Sequence, residues 1–234
     1  MFPLRVTDVK VNIKSKRLIG PINLEIEQNG ISILLGANGS GKTTLLEAIH
    51  GLRKLSAGKV EWTISNSLAA AEQAFVFQSP IMLRRTVAEN LAFPLKVRQL
   101  SKSTATAEAM TWAKKIGLEN KIKQQAVLLS GGEMQAIAVA RALITKPKML
   151  FLDEPTASLD GATKKTIEDI LISASRNGTK IVMSTHDLGQ AKRLAKDIIF
   201  LHRGLVEAHC SKEEFLTKPT SKAAKQFLAG DIVL

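Results

Sequence analysis

Residues Ile31 to Thr44 read ISILLGANGSGKTT, an apolar run followed by a glycine-rich segment. The run from Ile31 to Leu35 is short and uninterrupted, as is typical of a strand buried on both faces in a parallel sheet. Residues Gly36 to Thr43 then match the pattern G-x-x-x-x-G-K-[ST], and the segment from Lys42 to His50 has the composition of a helix that ends at Gly51. A strand, a glycine-rich turn and a helix in this order predict a loop that binds phosphate groups.

The chemistry expected of this loop is that of a nucleoside triphosphate site. Its glycines let successive backbone N–H groups point at one anion, and the amino end of the following helix adds partial positive charge. Lys42 is expected to reach the β- and γ-phosphates, and the hydroxyl of Thr43 is expected to bind Mg²⁺. The predicted nucleotide-binding residues are Gly36, Asn38, Gly39, Ser40, Gly41, Lys42, Thr43 and Thr44.

Two adjacent acidic residues follow a second apolar run, Met149 to Leu152. As a buried strand, that run would deliver Asp153 to the carboxyl edge of the sheet, beside the phosphates. We expect Asp153 to hold Mg²⁺ and Glu154 to polarise the water that attacks the γ-phosphorus. His186 is predicted at the same edge, because it follows the predicted strand from Lys180 to Ser184. Its expected role is a hydrogen bond to the γ-phosphate or to Glu154.

Helical stretches separate these apolar runs. After the helix at Lys42, two more helices are predicted, over Gly131 to Thr145 and over Ala162 to Asn177, the latter ending at Gly178. Strands that alternate with helices predict an α/β core with a parallel sheet.

The remaining segments predict two additions to this core. Polar and apolar residues alternate from Val6 to Glu27 and again from Val60 to Ile64, as in half-exposed antiparallel strands. The segment from Pro80 to Gln125 is predicted to be a helical insertion, with helices over Val87 to Leu91 and Ala105 to Ile116 separated by a cap region at residues 101–104. We see no repeat or flexible linker, so one continuous unit is expected.

Composition restricts the class of protein. The chain has 234 residues, of which 45% are hydrophobic and 23% are charged, as in ordinary globular proteins. No apolar run of about 18 residues predicts a membrane span, and no signal peptide is recognisable, so a cytoplasmic protein is expected. The single Cys210 excludes an internal disulfide. The net charge of +12 invites an anionic partner, but the basic residues are dispersed, so a solvated basic surface is the first interpretation. Contact with a membrane surface or membrane protein is the second, and nucleic acid comes last, because aromatic residues for base stacking are few.

A further segment, Leu129-Ser130-Gly131-Gly132-Glu133, begins a predicted helix with a natural N-cap serine and two glycines, and so predicts a second phosphate-binding helix end. At this point the chain resembles the ATP-binding subunits of ABC transporters over nearly its whole length. The motifs that carry the resemblance are, in chain order, Walker A (Gly36 to Thr43), the Q-loop Gln78, the signature (Leu129 to Glu133), Walker B (Met149 to Glu154), the D-loop (Ser158 to Asp160) and the switch His186.

The resemblance implies a P-loop NTPase of α/β class. It implies a mostly parallel RecA-like core sheet, an N-terminal antiparallel β subdomain and an inserted helical subdomain. Residues 1–234 would form a single ABC ATPase domain, with residues 1–79 and 140–234 as the catalytic core plus β subdomain and residues 80–139, approximately, as the helical signature subdomain.

The resemblance also implies roles and partners. ATP and Mg²⁺ would be the cofactors, Gln78 would contact Mg²⁺ and the attacking water, and the catalytic residues would be Glu154, His186 and Gln78. Two subunits would form a head-to-tail homodimer on membrane permease subunits, at the cytoplasmic face of the inner membrane, and would act indirectly with an extracytoplasmic solute-binding protein. The residues acting in trans, on the nucleotide of the other subunit, would be Ser130, Gly131, Gly132 and Asp160.

Two positions depart from the family pattern. After the signature, Ala136 stands where the family often has a basic residue, a change expected to alter contacts near the ribose or base. Where the family usually stacks an aromatic ring on adenine, this chain has Ile13, with no aromatic residue nearby. We therefore expect a weaker hold on the base.

The transported solute is predicted only from softer similarities. The segments at residues 81–90, 186–194 and 227–231 resemble importer subunits for tungstate and related oxyanions. Molybdate, phosphate or another solute are the alternatives, because the ATPase of such a transporter never touches the cargo. Outside transport, the alternatives are a soluble ABC ATPase acting in DNA repair or on the ribosome, and a nucleotide-binding scaffold that does not hydrolyse. Soluble ABC ATPases of that kind usually carry a long coiled-coil insertion or a second ATPase unit, and this sequence shows neither. A scaffold that does not hydrolyse is disfavoured because both Glu154 and His186 are present.

Overall fold

A computed structural model describes residues 1–157 and 159–231. The strands of this part of the chain are β1 (Leu4–Ile13), β2 (Lys16–Ile26), β3 (Ile31–Leu35), β4 (Ala57–Glu61), β5 (Gln73–Val76), β6 (Met149–Asp153), β7 (Lys180–Thr185), β8 (Asp197–His202) and β9 (Leu205–Ser211). The α-helices are α1 (Lys42–His50), α2 (Asn66–Ala71), α3 (Val87–Val97), α4 (Lys102–Lys115), α5 (Gly131–Leu143), α6 (Gly161–Arg176), α7 (Leu188–Leu194), α8 (Lys212–Thr217) and α9 (Lys222–Ala229). Two short 3₁₀ helices span Glu119–Lys121 and Ala126–Leu128.

The central sheet has six strands in the order β5-β6-β7-β3-β8-β9. All neighbouring pairs are parallel except β8 and β9, which form an antiparallel edge. Every residue of β3, β6 and β7 is buried, which explains why the sequences of these strands are mostly apolar. The predicted mostly parallel α/β core is therefore confirmed.

A second sheet packs beside the first, with strand order β2-β1-β4 and antiparallel pairing throughout. Its buried residues share a hydrophobic cluster with α1 and with one face of the central sheet. The alternation between Val6 and Glu27 thus predicted this sheet correctly. The predicted strand from Val60 to Ile64 is wrong in its bounds: β4 spans Ala57–Glu61, and its pairing with β1 ends where Glu61 meets Arg5, one residue from the start of β1.

The helical insertion is also present. Helices α3, α4 and α5 share a hydrophobic cluster of their own, whose buried members include Val87, Leu91, Ala109 and Ile137. Helix α3 runs to Val97 and contains Pro94, so it continues beyond the Leu91 end predicted from the sequence. Ser101 accepts a hydrogen bond from the backbone of Thr104 and caps α4, as the sequence predicted.

The topology determines where functional side chains meet. The loops after β3, β6 and β7 all leave the carboxyl edge of the sheet, and these strands are adjacent. In this arrangement a ligand binds beyond the carboxyl ends of the strands. Within the described residues, no helix is long and apolar enough to cross a membrane.

Candidate nucleotide site

The glycine-rich loop connects β3 to α1 at the carboxyl edge of the sheet. Gly41 is the N-cap of α1 with a φ angle of 105°, and no side chain caps this helix end. Its first backbone N–H groups are thus free of side-chain acceptors and suited to an anion. A Cβ atom at Gly36 would lie 2.3 Å from the carbonyl oxygen of Leu201, so only glycine fits where the loop leaves the strand.

The outer part of the loop is open. Gly39 has a φ angle of 78°, and no atom lies within 4 Å of the position of a Cβ there. Asn38 is exposed and Thr44 is half-buried, whereas Ser40 is buried and its hydroxyl has no hydrogen-bond partner among the described residues. An unpartnered buried hydroxyl beside a curled backbone fits a loop built to hold phosphate oxygens.

Lys42 is almost completely buried at the start of α1, with 5% of its side chain exposed. Its ammonium group donates to the carbonyl oxygens of Gly36, at 3.0 Å, and Ala37, at 3.2 Å. It also lies 3.1 Å from Oε1 of Glu154. The loop and the carboxylate thus hold this cation at a fixed place inside the curl, where a phosphate would meet it.

Thr43 and Asp153 form the predicted metal-binding pair. The hydroxyl of Thr43 donates to Oδ2 of Asp153 at 2.7 Å. The hydroxyl of Ser184 donates to Oδ1 of Asp153 at 2.6 Å and accepts from the backbone N–H of Glu154 at 2.9 Å. Ser184 is a positioning residue to which we assigned no role from the sequence, although it directly opposes Asp153 in the parallel pairing of β6 and β7.

This pair fits Mg²⁺. Hydroxyl and carboxylate oxygens are the hard ligands that Mg²⁺ prefers. Within residues 1–157 and 159–231, no group of three or more His, Cys, Asp or Glu side chains is arranged for a metal. Mg²⁺ is commonly held by one or two protein carboxylates together with the phosphate oxygens of a nucleotide, which is the kind of site that Thr43 and Asp153 suit.

Glu154 occupies the centre of the site. It has a φ angle of 43°, which is uncommon for a residue other than glycine and turns the chain sharply as it leaves β6. Its Oε2 lies 3.0 Å from Nδ1 of His186, while its other oxygen faces Lys42. The side chain of Glu154 is 12% exposed and that of His186 is 49% exposed. The carboxylate is thus positioned from both sides, and the imidazole is the part that faces solvent.

Gln78 stands apart from these side chains. It is exposed and lies two residues beyond the end of β5, which is the strand next to β6 in the sheet. No hydrogen bond between it and the other site residues occurs in the described part of the chain. Its predicted contacts with Mg²⁺ and water therefore stay a prediction.

The signature segment lies on the helical insertion. Ser130 is the N-cap of α5 and forms a capping box with Glu133, in which each side chain accepts from the other residue's backbone N–H. Gly131 has no atom within 4 Å of a Cβ position, and a Cβ at Gly132 would lie 3.4 Å from Cγ2 of Thr163. The segment thus presents an exposed helix start that does not contact the Walker A loop of its own chain through any hydrogen bond of the described residues.

Asp160 caps the next helix. It accepts from the backbone N–H groups of Ala162 and Thr163 and from the hydroxyl of Thr163, and these hydrogen bonds lower the pKa of its carboxyl group. Ser158, which begins the predicted D-loop, lies outside the described residues.

Ile13, the position at which the family usually has an aromatic ring, lies at the turn between β1 and β2. It is 52% exposed and pairs with Lys16.

The chain is similar in sequence to ATP-binding proteins of ABC transporters. The ABC transporter family profile matches residues 19–157. The tungstate uptake ATP-binding protein TupC of Peptoclostridium acidaminophilum is 37% identical over 87% of this chain and 96% of its own. The glutamate transport ATP-binding protein GluA of Corynebacterium efficiens is 32% identical over 96% of this chain and 97% of its own. The phosphate import ATP-binding protein PstB of Campylobacter jejuni is 34% identical over 97% of this chain and 98% of its own.

A solved structure gives the same result for the fold. A dimeric ATP-binding cassette in a post-hydrolysis state, bound to ADP and Pi, superposes with a TM-score of 0.80 at 27% identity, covering 89% of this chain and 98% of its own. The chain therefore belongs to the ATP-binding subunit family of ABC transporters and is an ABC-type ATPase that uses ATP with Mg²⁺.

Proposed function

We propose that this ABC ATPase powers an importer that takes up an oxyanion through a separate membrane permease, and that the oxyanion is tungstate. One observation carries the hydrolytic part of the proposal: the carboxylate of Glu154 lies within hydrogen-bonding distance of both Lys42 and His186. A general base must reach the proton that it removes, and it must be held in one orientation. The contacts with Lys42 and His186 hold Glu154 in one orientation.

The residues of the site divide the work as follows. The Walker A backbone and Lys42 bind the phosphates, Thr43 and Asp153 hold Mg²⁺, and Glu154 polarises the attacking water. Mg²⁺, when bound, neutralises charge on the β- and γ-phosphate oxygens. His186 orients Glu154 and reaches toward the γ-phosphate, and Gln78 approaches from β5 to contact the metal and the water.

The proposal includes a head-to-tail homodimer. In support, the start of α5 at Ser130, Gly131 and Gly132 is a solvent-facing helix end, and none of its hydrogen bonds among the described residues reaches the Walker A loop of its own chain. Asp160 and this helix start would complete the site of the second subunit, with ATP between them.

A charge placed at Gly131 tests the dimer. Because nothing crowds a Cβ there and Asp is favourable in the first turn of a helix, Gly131→Asp should fold normally and bind ATP as a monomer. The new carboxylate would meet the γ-phosphate of the partner's nucleotide, so ATP-dependent dimerisation and turnover should be lost. Gly131→Asn is the uncharged control and should retain more of both. If Gly131→Asp hydrolyses ATP as fast as the wild type, the site is not shared in trans.

We further propose that the dimer binds permease subunits at the cytoplasmic face of the membrane. Phe77 and Ile81, on either side of Gln78, expose 44% and 73% of their surface, and exposed apolar side chains beside a catalytic segment suit a partner protein. In the same proposal, residues 80–139, approximately, form the helical subdomain that contacts the permease, within a single domain of residues 1–234.

The oxyanion part rests on TupC, whose identity to this chain is 37% against 32% for GluA and 34% for PstB, although over a shorter match, and on the segments at residues 81–90, 186–194 and 227–231. Molybdate, phosphate or another solute is the alternative, since relatives for glutamate and phosphate transport are almost as similar.

The cargo is tested by assembling this chain with its permease and solute receptor. ATP turnover in liposomes is then measured with tungstate, molybdate, phosphate or glutamate on the receptor side. We expect tungstate to stimulate turnover at the lowest concentration. Stimulation by phosphate or glutamate, with none by tungstate, would refute the tungstate assignment but leave the ATPase assignment intact.

A further inference from the structure

A buried polar cluster lies behind the catalytic edge, where α6, α7 and the turn after Glu154 meet. Three of its members, Thr156, Glu168 and Gln190, are 7%, 6% and 1% exposed. Thr156 lies in the turn that follows Glu154, Glu168 lies on α6, and Gln190 lies on α7, which begins directly after the segment containing His186. The cluster therefore joins three segments that are distant in the sequence.

Gln190 is the central member. Its amide nitrogen donates to Oγ1 of Thr156 at 2.7 Å and to Oε1 of Glu168 at 3.0 Å. Because an ionised carboxylate can only accept hydrogen bonds, it is the amide nitrogen of Gln190 that must face Glu168. The orientation of the amide is thus fixed, and both of its N–H groups are used.

Glu168 is in turn held by Arg193, one turn further along α7. Nε and one terminal nitrogen of the guanidinium donate to the two carboxylate oxygens at 2.9 and 2.7 Å. Burial favours a raised pKa for Glu168, but the hydrogen bonds from Arg193 and Gln190 outweigh it and the pKa is lowered. The carboxylate is therefore charged at neutral pH and keeps Gln190 in place.

A second tie joins the same two helices. Lys164, one turn before Glu168 on α6, forms an ion pair with Asp187. Asp187 caps α7 by accepting from the backbone N–H of Gln190, and it directly follows His186. Helix α6 itself begins at its N-cap, Asp160. The orientation of α7 relative to α6 is thus fixed at two successive turns.

The cluster also borders a cavity of about 210 Å³ whose lining includes Glu154, Thr156 and His186. A buried polar cluster adds little net stability compared with apolar side chains of the same shape, since each hydrogen bond mainly replaces one with water. It does fix geometry, because any shift of one segment leaves a buried donor or acceptor unpaired. The position of this cluster therefore points to orientation of the catalytic residues.

We propose that Gln190 is a positioning residue that holds the turn after Glu154 against the helix that follows His186, so that the two catalytic side chains keep their separation during ATP hydrolysis. Thr156 is the contact through which Gln190 acts, and Glu168 holds Gln190 in place. The inference rests on the proposed roles of Glu154 and His186. It adds a pair of residues, Thr156 and Gln190, whose loss affects turnover rather than nucleotide binding.

The test uses near-isosteric variants of the full chain, Thr156→Val, Gln190→Met and the double variant. For each, kcat and KM for ATP are measured with Mg²⁺, together with the thermal midpoint. We expect each single variant to lower kcat about tenfold with KM changed less than about twofold, because an interaction that orients the reacting groups is lost while the phosphate contacts remain. The double variant should be no slower than the slower single variant, since both remove the same hydrogen bond.

Thr179→Val is the matched control. Thr179 is 8% exposed and its hydroxyl donates a buried hydrogen bond to the carbonyl of Pro147 at 2.9 Å, at the opposite edge of the sheet. It should lower the thermal midpoint as Thr156→Val does, with kcat unchanged. This comparison separates positioning from a general loss of stability.

The inference is overturned if Thr156→Val keeps wild-type kcat, if Thr179→Val lowers kcat equally, or if the two single effects multiply in the double variant. Should Gln190→Met fail to fold, Thr156→Val decides the question. Glu154→Gln in the same assay tests the catalytic role of Glu154 separately from the positioning role of Gln190. If it is inactive while Thr156→Val and Gln190→Met are fully active, only the positioning role is wrong, whereas an active Glu154→Gln refutes the proposed catalytic role itself.

Discussion

Nζ of Lys42 lies 3.1 Å from Oε1 of Glu154, with both side chains largely buried. The pair joins the cation that binds phosphate to the carboxylate that polarises water. Its two members come from the loops after β3 and β6, which are separated in the sheet by β7, the strand that carries Ser184. Three neighbouring strand ends thus assemble one site.

Lys42→Ala is expected to weaken ATP binding. The substitution removes the only loop side chain assigned to the β- and γ-phosphates, and it leaves Glu154 beside the phosphates without its cation. A loss of at least about tenfold in affinity is expected for a charge-assisted contact of this kind. Isothermal titration with ATP and Mg²⁺ measures it, and Lys54→Ala, at an exposed lysine, is the control. Wild-type affinity in Lys42→Ala would contradict the assigned role.

Gly41→Ala should be more destabilising than Gly51→Ala. Both glycines have positive φ angles, 105° and 93°, so alanine carries a conformational cost of about 1–2 kcal/mol at either position. At Gly41 the added Cβ would also lie 2.6 Å from Cγ2 of Ile19, whereas nothing lies within 4 Å at Gly51. Urea unfolding gives the two free energies. Equal losses would show that the contact with Ile19 relaxes without cost.

His50 is expected to make stability depend on pH. Burial lowers the pKa of His50 to about 4, and its Nδ1 has no hydrogen-bond partner among the described residues. Because the unfolded chain has the higher pKa, about 6.5, neutral His50 stabilises the fold fully above that pH, and this contribution is lost as the pH falls from about 6.5 towards 4.

The effect is isolated by His50→Leu. Thermal midpoints are compared at pH 7.5 and 4.5 for the wild type and for this variant, which cannot titrate at position 50. The wild type should lose more of its midpoint on acidification than the variant does. Identical pH dependence in the two proteins would show that His50 has no such part.

Ile13→Tyr is expected to tighten ATP binding. The resemblance to ABC ATPases places adenine beside Ile13, which is 52% exposed. A stacking contact contributes about 0.5–1.5 kcal/mol, or roughly two- to tenfold in affinity. Successive strand residues point to opposite faces, so Asn12→Tyr is the control and should have no effect on affinity. Unchanged affinity for ATP in Ile13→Tyr would show that adenine does not lie beside this hairpin.

Sequence reasoning predicted the elements that carry chemistry with good bounds. Helix α1 spans Lys42–His50 as expected, and β3 matches the apolar run at Ile31 to Leu35. In these segments the hydrophobic period, the glycines and the caps all indicate the same structure. Strand β5 was missed because Gln73–Val76 is short and only its last residue is buried. Strand β9 was missed because it alternates weakly at the antiparallel edge.

The order of the strands could not be predicted from the sequence, and it determines which side chains touch. Asp153 and His186 were both expected at the carboxyl edge, but their neighbours depend on β7 lying between β6 and β3. The hydrogen bonds of Ser184 to Asp153 and of Gln190 to Glu168 follow from that order and from helix packing. No local pattern in the sequence marks either contact.

The central claim is that Glu154 is the residue that activates water for ATP hydrolysis. Glu154→Gln keeps the size of the side chain and removes its charge, so ATP binding should persist while turnover falls at least about hundredfold, the typical contribution of a general base. Size-exclusion chromatography in ATP and Mg²⁺ should show a stable dimer of this variant, and a monomer without ATP. A Glu154→Gln protein that hydrolyses ATP at the wild-type rate would contradict the account.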